Sequence, residues 1–145
     1  LGTGSAISLA GFTTAAKKGD AIDLGAAGKN ALDDSKANWL PEGWGLNVVC
    51  DVAMNTSATL TFNFLTSTLE ALTGGTTSSL GTRTLTAVTL AAGDIACFIP
   101  ADTMVTMQRY VGMFVTSDTS LGTCSVRAWI GPQMETPVAP TNFKK

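Results

Sequence analysis

The stretch LNVVCDVAMNTSATLTFNFL, residues 46–65, decides how this chain folds. Its first half alternates, with Leu46, Val48, Cys50, Val52 and Met54 on one face and Asn47, Asp51 and Asn55 on the other. Period two marks a half-buried strand, because successive side chains leave an extended backbone on opposite sides. The second half repeats the pattern: Ala58, Leu60, Phe62 and Phe64 alternate with Thr59, Thr61 and Asn63. β-Branched and aromatic residues suit that pleated surface. The polar spacer Asn55-Thr56-Ser57 between the two runs predicts a hairpin. It also matches a glycosylation acceptor formally, but in a chain without a secretion signal it reads as a turn.

Downstream the same period returns in pieces. TGGTTSSLGT (73–82) reads as a Gly/Thr/Ser-rich loop, followed by RTLTAVTL (83–90), the turn AAGD (91–94) and IACFIPA (95–101). Ile95, Cys97 and Ile99 share a face there, and Pro100, having no N–H, ends that strand or holds it at an edge. ADTMVTMQ (101–108) is a connection with room for one helical turn. RYVGMFVT (109–116) then leads into MFVTSDTSLGTCSVRAWIG (113–131). In it, Phe114 and Val115 precede a polar turn and Cys124, Val126, Ala128 and Ile130 follow it, which predicts a second hairpin.

Upstream, GDAIDLG (19–25) reads as a short strand and residues 30–45 as a long loop holding Trp39 and Trp44. No segment keeps a helical period for 12 residues or more, and no repeat or heptad run is visible. The expected fold is all-β: an antiparallel β-sandwich or jelly roll, one domain over residues 1–145. Residues 1–19 are expected as an N-terminal arm, 20–131 as the sandwich core, and 132–145 as an extended arm carrying Pro132, Pro137 and Pro140.

Composition narrows the function. Nine Lys and Arg stand against eleven Asp and Glu, and no basic run exceeds a Lys pair, so charge recruits neither nucleic acid nor an anionic membrane. No apolar run is long enough for a membrane helix, and LGTGSAISLAG at the start has no basic region of a signal peptide. Charged residues are only 14% of the chain while apolar types reach 45%. Such a surface is either polar through threonine or buried in an assembly.

The chain has no histidine, which removes Ser-His-Asp and Cys-His nucleophile systems and leaves zinc only cysteines and carboxylates. Paired carboxylates could in principle support glycoside hydrolysis, but Asp20, Asp94, Asp102 and Asp118 sit in turn contexts where they bond local backbone. DDSKAN (33–38) lacks the glycine and closing glutamate of a calcium loop, and GTGSAISLAG lacks the Lys-Ser/Thr of a phosphate loop. A non-enzyme without metal or cofactor is expected. Cys50, Cys97 and Cys124 are odd in number and widely spaced, so they are expected as reduced core thiols in a cytoplasmic setting. Trp39 and Trp44 flank Pro41-Glu42-Gly43 as a sugar platform, an interface anchor or a satellite core.

In order and spacing, AIDLGAAG (21–28), VVCDVAM, ATLTFNFLTS, LTAVTLAAGD, ACFIPA and RYVGMFVTSDTSLGTCSVRAWIG resemble the jelly-roll capsid cement, or decoration, proteins of tailed bacteriophages. The resemblance covers about residues 20–132. The insertion KNALDDSKANWLPEGWG (29–45) and the Pro-rich tail depart from the compact form. The resemblance implies a structural virion protein, made in the host cytoplasm, on the capsid exterior. It would bind the expanded shell where major capsid subunits meet, together with sister copies of itself as a dimer or trimer. On that reading Ser125, Arg127 and Trp129 form the partner face of the final hairpin, and Met134, Val138 and Phe143 form the contacting arm. The alternatives are a carbohydrate- or receptor-binding module using the Trp39/Trp44 loop, or another structural part of a head fibre or tail.

Overall fold

The computed structural model describes residues 6–11, 16–25, 40–55, 57–86 and 88–134. Ten strands form: β1 (Ile7–Ser8), β2 (Ala16–Asp23), β3 (Trp44–Val52), β4 (Met54–Asn55), β5 (Thr59–Ser67), β6 (Thr77–Thr86), β7 (Thr89–Leu90), β8 (Ile95–Pro100), β9 (Tyr110–Ser117) and β10 (Ser125–Pro132). A first four-stranded sheet has the order β1-β10-β3-β8, a second has β2-β9-β5-β6, and β4 and β7 make a small ribbon. Every pairing is antiparallel. The two four-stranded sheets lie face to face as a β-sandwich.

Alternation explains the packing. Leu46, Val48 and Cys50 on β3 and Val126 and Ala128 on β10 turn one face of the first sheet inward, all of them buried. Leu60, Phe62 and Phe64 on β5 and Val111, Met113 and Val115 on β9 meet them from the second sheet. Truncating either phenylalanine to alanine would leave a cavity costing about 3–5 kcal/mol.

Neither predicted hairpin forms. The run 46–65 places β3 in the first sheet and β5 in the second, and the run 113–131 does the same with β9 and β10. Each is an arch across the core. The physical reason is that alternation assigns faces but not neighbours: two strands with apolar inner faces satisfy burial equally well side by side or face to face. The one hairpin between long consecutive strands is β5–β6.

Three further expectations change. The segment 73–82 read as a loop contains the start of β6, an edge strand whose serines and threonines tolerate both water and a pleated backbone. Within 1–19, Ile7 and Ser8 pair with Val126 and Ser125, Leu9 is buried, and β2 already begins at Ala16. These residues belong to the sandwich, and not to an arm. Val52, expected on the core face, is 42% exposed, because a bulge at Asp51 breaks the alternation just before it.

Two contacts tie the sandwich at its margins, one between the sheets and one within the second sheet. At one edge β6 of the second sheet approaches β8 of the first so closely that a Cβ on Gly81 would stand 2.5 Å from Ile99 Cγ2. At the end of β2, the Arg109 guanidinium grips Asp23 through both oxygens, at 2.8 and 2.6 Å, and holds its carboxyl down to about 2. The loop 68–76 folds over the outside of the second sheet. Its Leu72 is buried, with Cδ1 only 2.6 Å from where a Cβ on Gly112 would sit. Leu72 holds φ at 59°, a left-handed conformation costing about 1–2 kcal/mol, which burial of a leucine at about 1.5–3 kcal/mol offsets.

Gly45 and Gly131 are register partners across β3 and β10 with opposite surroundings. A Cβ on Gly45 would lie 2.7 Å from Pro100 Cα and 2.8 Å from the Ile99 carbonyl carbon, both backbone, whereas at Gly131 the nearest atom is Trp129 Cδ1 at 3.6 Å. Gly45→Ala should therefore cost about 1–3 kcal/mol in urea unfolding, and Gly131→Ala should stay within about 0.5 kcal/mol of the parent. Equal costs for the two would show that the β3–β8 approach is looser than described.

Candidate interaction surfaces

The outer face of the first sheet gathers four of the six contact residues singled out by sequence, Ser125, Arg127, Trp129 and Met134. Because Val126 and Ala128 point inward, Ser125, Arg127 and Trp129 point outward from β10. Register sets Asn47 of β3 opposite Trp129 and Phe98 of β8 opposite Asn47, so the three share one row, with Val49 opposite Arg127 in the next. Trp129, Phe98 and Val49 are each half-buried.

Asn47 organises this face. It is 2% exposed, and its amide is used at both ends: Nδ2 donates to the Pro132 carbonyl at 3.0 Å and Oδ1 accepts the Met134 N–H at 2.9 Å. Pro132 pairs with Trp44, three residues before Asn47, so the chain turns back over its own sheet as it leaves β10. Met134 is thereby fastened beside Trp129. Val138 and Phe143 lie outside the described residues.

Arg127 is not a free cation. Its Nε donates to Asp51 Oδ1 at 2.6 Å, while Ser125 Oγ donates to Asp51 Oδ2 at 3.1 Å. The bulge makes this possible: Ser125 pairs with Val52 and Val126 with Cys50, leaving Asp51 as the extra residue turned toward β10. Sequence reading placed Asp51 and Asn47 on the outer face without revealing either bond, since both partners come from the far end of the chain.

The outer face of the second sheet is different in kind. Thr84, Thr61 and Thr116 form a row across β6, β5 and β9, with Thr61 and Thr84 hydroxyls 3.2 Å apart. In the next row the Thr82 hydroxyl donates to Asn63 Oδ1 at 2.9 Å beside Phe114. Register continues this second row to Lys17 of β2, while the threonine and asparagine positions themselves carry no charge and add no ionic penalty to desolvation.

A third feature lies at the end of the sandwich where β3 begins. A cleft of about 260 Å³ is lined by Leu40, Pro41 and Gly43 on one side and by residues 101–107 on the other. Trp44 follows the lining residue Gly43 and is half-buried against the core; its backbone N–H donates to the Pro41 carbonyl at 3.0 Å and its carbonyl accepts the Ala101 N–H at 3.1 Å. Trp44 thus serves as a satellite of the core, and Trp39 lies outside the described residues.

Chemistry is sparse. Cys50, Cys97 and Cys124 are buried free thiols, and burial pushes Cys97 up to about 12, so none is prepared as a nucleophile. Among the described residues no group of three or more Cys, Asp or Glu is placed to hold a metal ion. Comparison with models of known protein families finds no match, and comparison with curated proteins finds none.

The Asp51 carboxyl is held below its ordinary value, chiefly by the Arg127 hydrogen bond. A lowered folded pKa means stability present above the unfolded carboxylate value and lost as pH falls through the folded one. Below about pH 4, Asp51→Asn should therefore lose less of its remaining stability than the parent in paired urea titrations. Parallel losses would remove Asp51 from the acid response.

Proposed function

We propose that this chain is a structural virion protein that binds the outside of the expanded phage capsid where major capsid subunits meet, and stabilises the shell alongside sister copies of itself. The observation that carries the reading is the outer face of the first sheet, where half-buried Trp129 and Phe98 flank a buried Asn47 that ties down the departing chain. A flat apolar row with a fixed polar centre is the make-up of an interface core. The Arg127–Asp51 pair at its margin is already neutralised internally, so covering it strands no lone charge.

Two other features support the same reading. The Thr61, Thr84 and Thr116 hydroxyls of the second sheet can be buried without ionic cost. Leaving out the short β4–β7 ribbon, consecutive strands cross from sheet to sheet at every step except β5 to β6, which supports the jelly-roll form of the sandwich. In this reading the segment beyond Met134, with Val138 and Phe143, starts from an anchored point, so any contact it makes gains from high local concentration.

The test is co-sedimentation with shells assembled from the major capsid protein encoded alongside this chain. Binding should saturate, and Trp129→Ala should weaken it roughly tenfold or more while leaving the thermal midpoint nearly unchanged. Failure to bind well-formed shells would turn attention to a glycan- or receptor-binding role; unchanged binding by Trp129→Ala would remove that side chain from the interface.

A further inference from the structure

Asn47 stands on the outer face of an interior strand and yet is 2% exposed. Its neighbours in the row, Trp129 and Phe98, are half-buried to either side. Trp129 does not stand off the sheet: its indole leans over the buried Gly131, with Cδ1 3.6 Å and Nε1 3.8 Å from where a Cβ there would sit. The ring thus lies toward the point where the chain leaves β10.

Between them, the amide engages the departing chain. Its Nδ2 donates to the Pro132 carbonyl at 3.0 Å, and the Met134 N–H donates to Oδ1 at 2.9 Å. Those two backbone groups flank Gln133, and an extended backbone presents such a pair on one edge, so the carboxamide takes the place of a partner strand's peptide. Pro132 and Gln133 are exposed, whereas Met134 is half-buried. A partner lying on this face can leave the segment 132–134 where it is. If it displaces the segment, it must offer Asn47 a new acceptor and a new donor, because a buried amide left unpaired bears its full desolvation penalty. Keeping the segment demands nothing of the partner. Methionine also suits a contact there, being unbranched, polarisable and able to fit an irregular surface.

We propose that Asn47 is the positioning residue of this face: it mounts Met134 on the row between Trp129 and Phe98, and the mounted methionine, not the amide, touches the partner. The inference deepens the function proposed above and rests on it for the identity of that partner, the shell. The mounting of Met134 belongs to the isolated chain, so it can fail or stand apart from shell binding.

Two measurements test it. In the isolated chain, hydrogen exchange should find the Met134 amide protected roughly tenfold or more over the free-chain rate, and Asn47→Ala should abolish that protection while the Val48 and Val126 amides keep theirs. Asn47→Val, closer in volume and suited to a strand, repeats the test should the alanine variant lose its core protection. On shells, Met134→Ala should weaken binding roughly tenfold, Asn47→Ala about as much, and the two together no more than either alone, since one residue acts through the other. Additive losses, or binding indifferent to either single change, overturn the proposal. So does a Met134 amide that exchanges freely in the parent or stays protected in Asn47→Ala. A parent that binds no shell defeats the function proposed above, and the exchange result alone then decides whether Asn47 mounts Met134.

Discussion

Two arches through the core are the constraint on which the rest of this structure depends. The stretch 46–65 supplies an interior strand to each sheet, β3 to the first and β5 to the second, and the stretch 110–132 supplies the other two, β9 and β10. The strands at the sheet edges, β1, β2, β6 and β8, come from the segments between and before them. Each arch sets its own apolar faces toward one another, so Leu46, Val48 and Cys50 meet Leu60, Phe62 and Phe64 across the interior. The core therefore forms between strands close in sequence, while hydrogen bonding, the β5–β6 hairpin apart, joins strands that are distant.

That division explains what could be read beforehand. Side-chain period identified the strands around Leu46, Leu60, Ile95, Val111 and Val126, together with Pro100 as a strand end, because burial leaves a local mark. Strand partnership leaves none, so both arches looked like hairpins. β6 was hidden because threonine and serine serve a loop and an edge strand alike, and β1 because two paired residues cannot build a pattern. The outward turn of Arg127 and Trp129 was legible from alternation. The Asp51 and Asn47 bonds were not, since they join residues 74 to 87 positions apart.

The same interior frees the outside for contact. Two exposed ion pairs, Arg109 with Asp23 and Arg127 with Asp51, tie neighbouring segments of the chain together at strand ends and a bulge. Each is a surface pair of modest worth, yet each removes a charge that would resist burial. The rows described on the two outer faces carry threonine, asparagine, Trp129, Phe98, Phe114 and Val49, with Lys17 in register at the β2 edge. On the proposed reading that makes the sandwich a rigid plate whose faces are available to a shell.

The most direct measurement is the copy number of this chain in purified particles, by quantitative mass spectrometry against the major capsid protein. The account predicts a constant ratio, one per capsid subunit or a simple fraction set by the local symmetry axes of the shell. Absence from the particle, or only a handful of copies as at a single vertex, would contradict it.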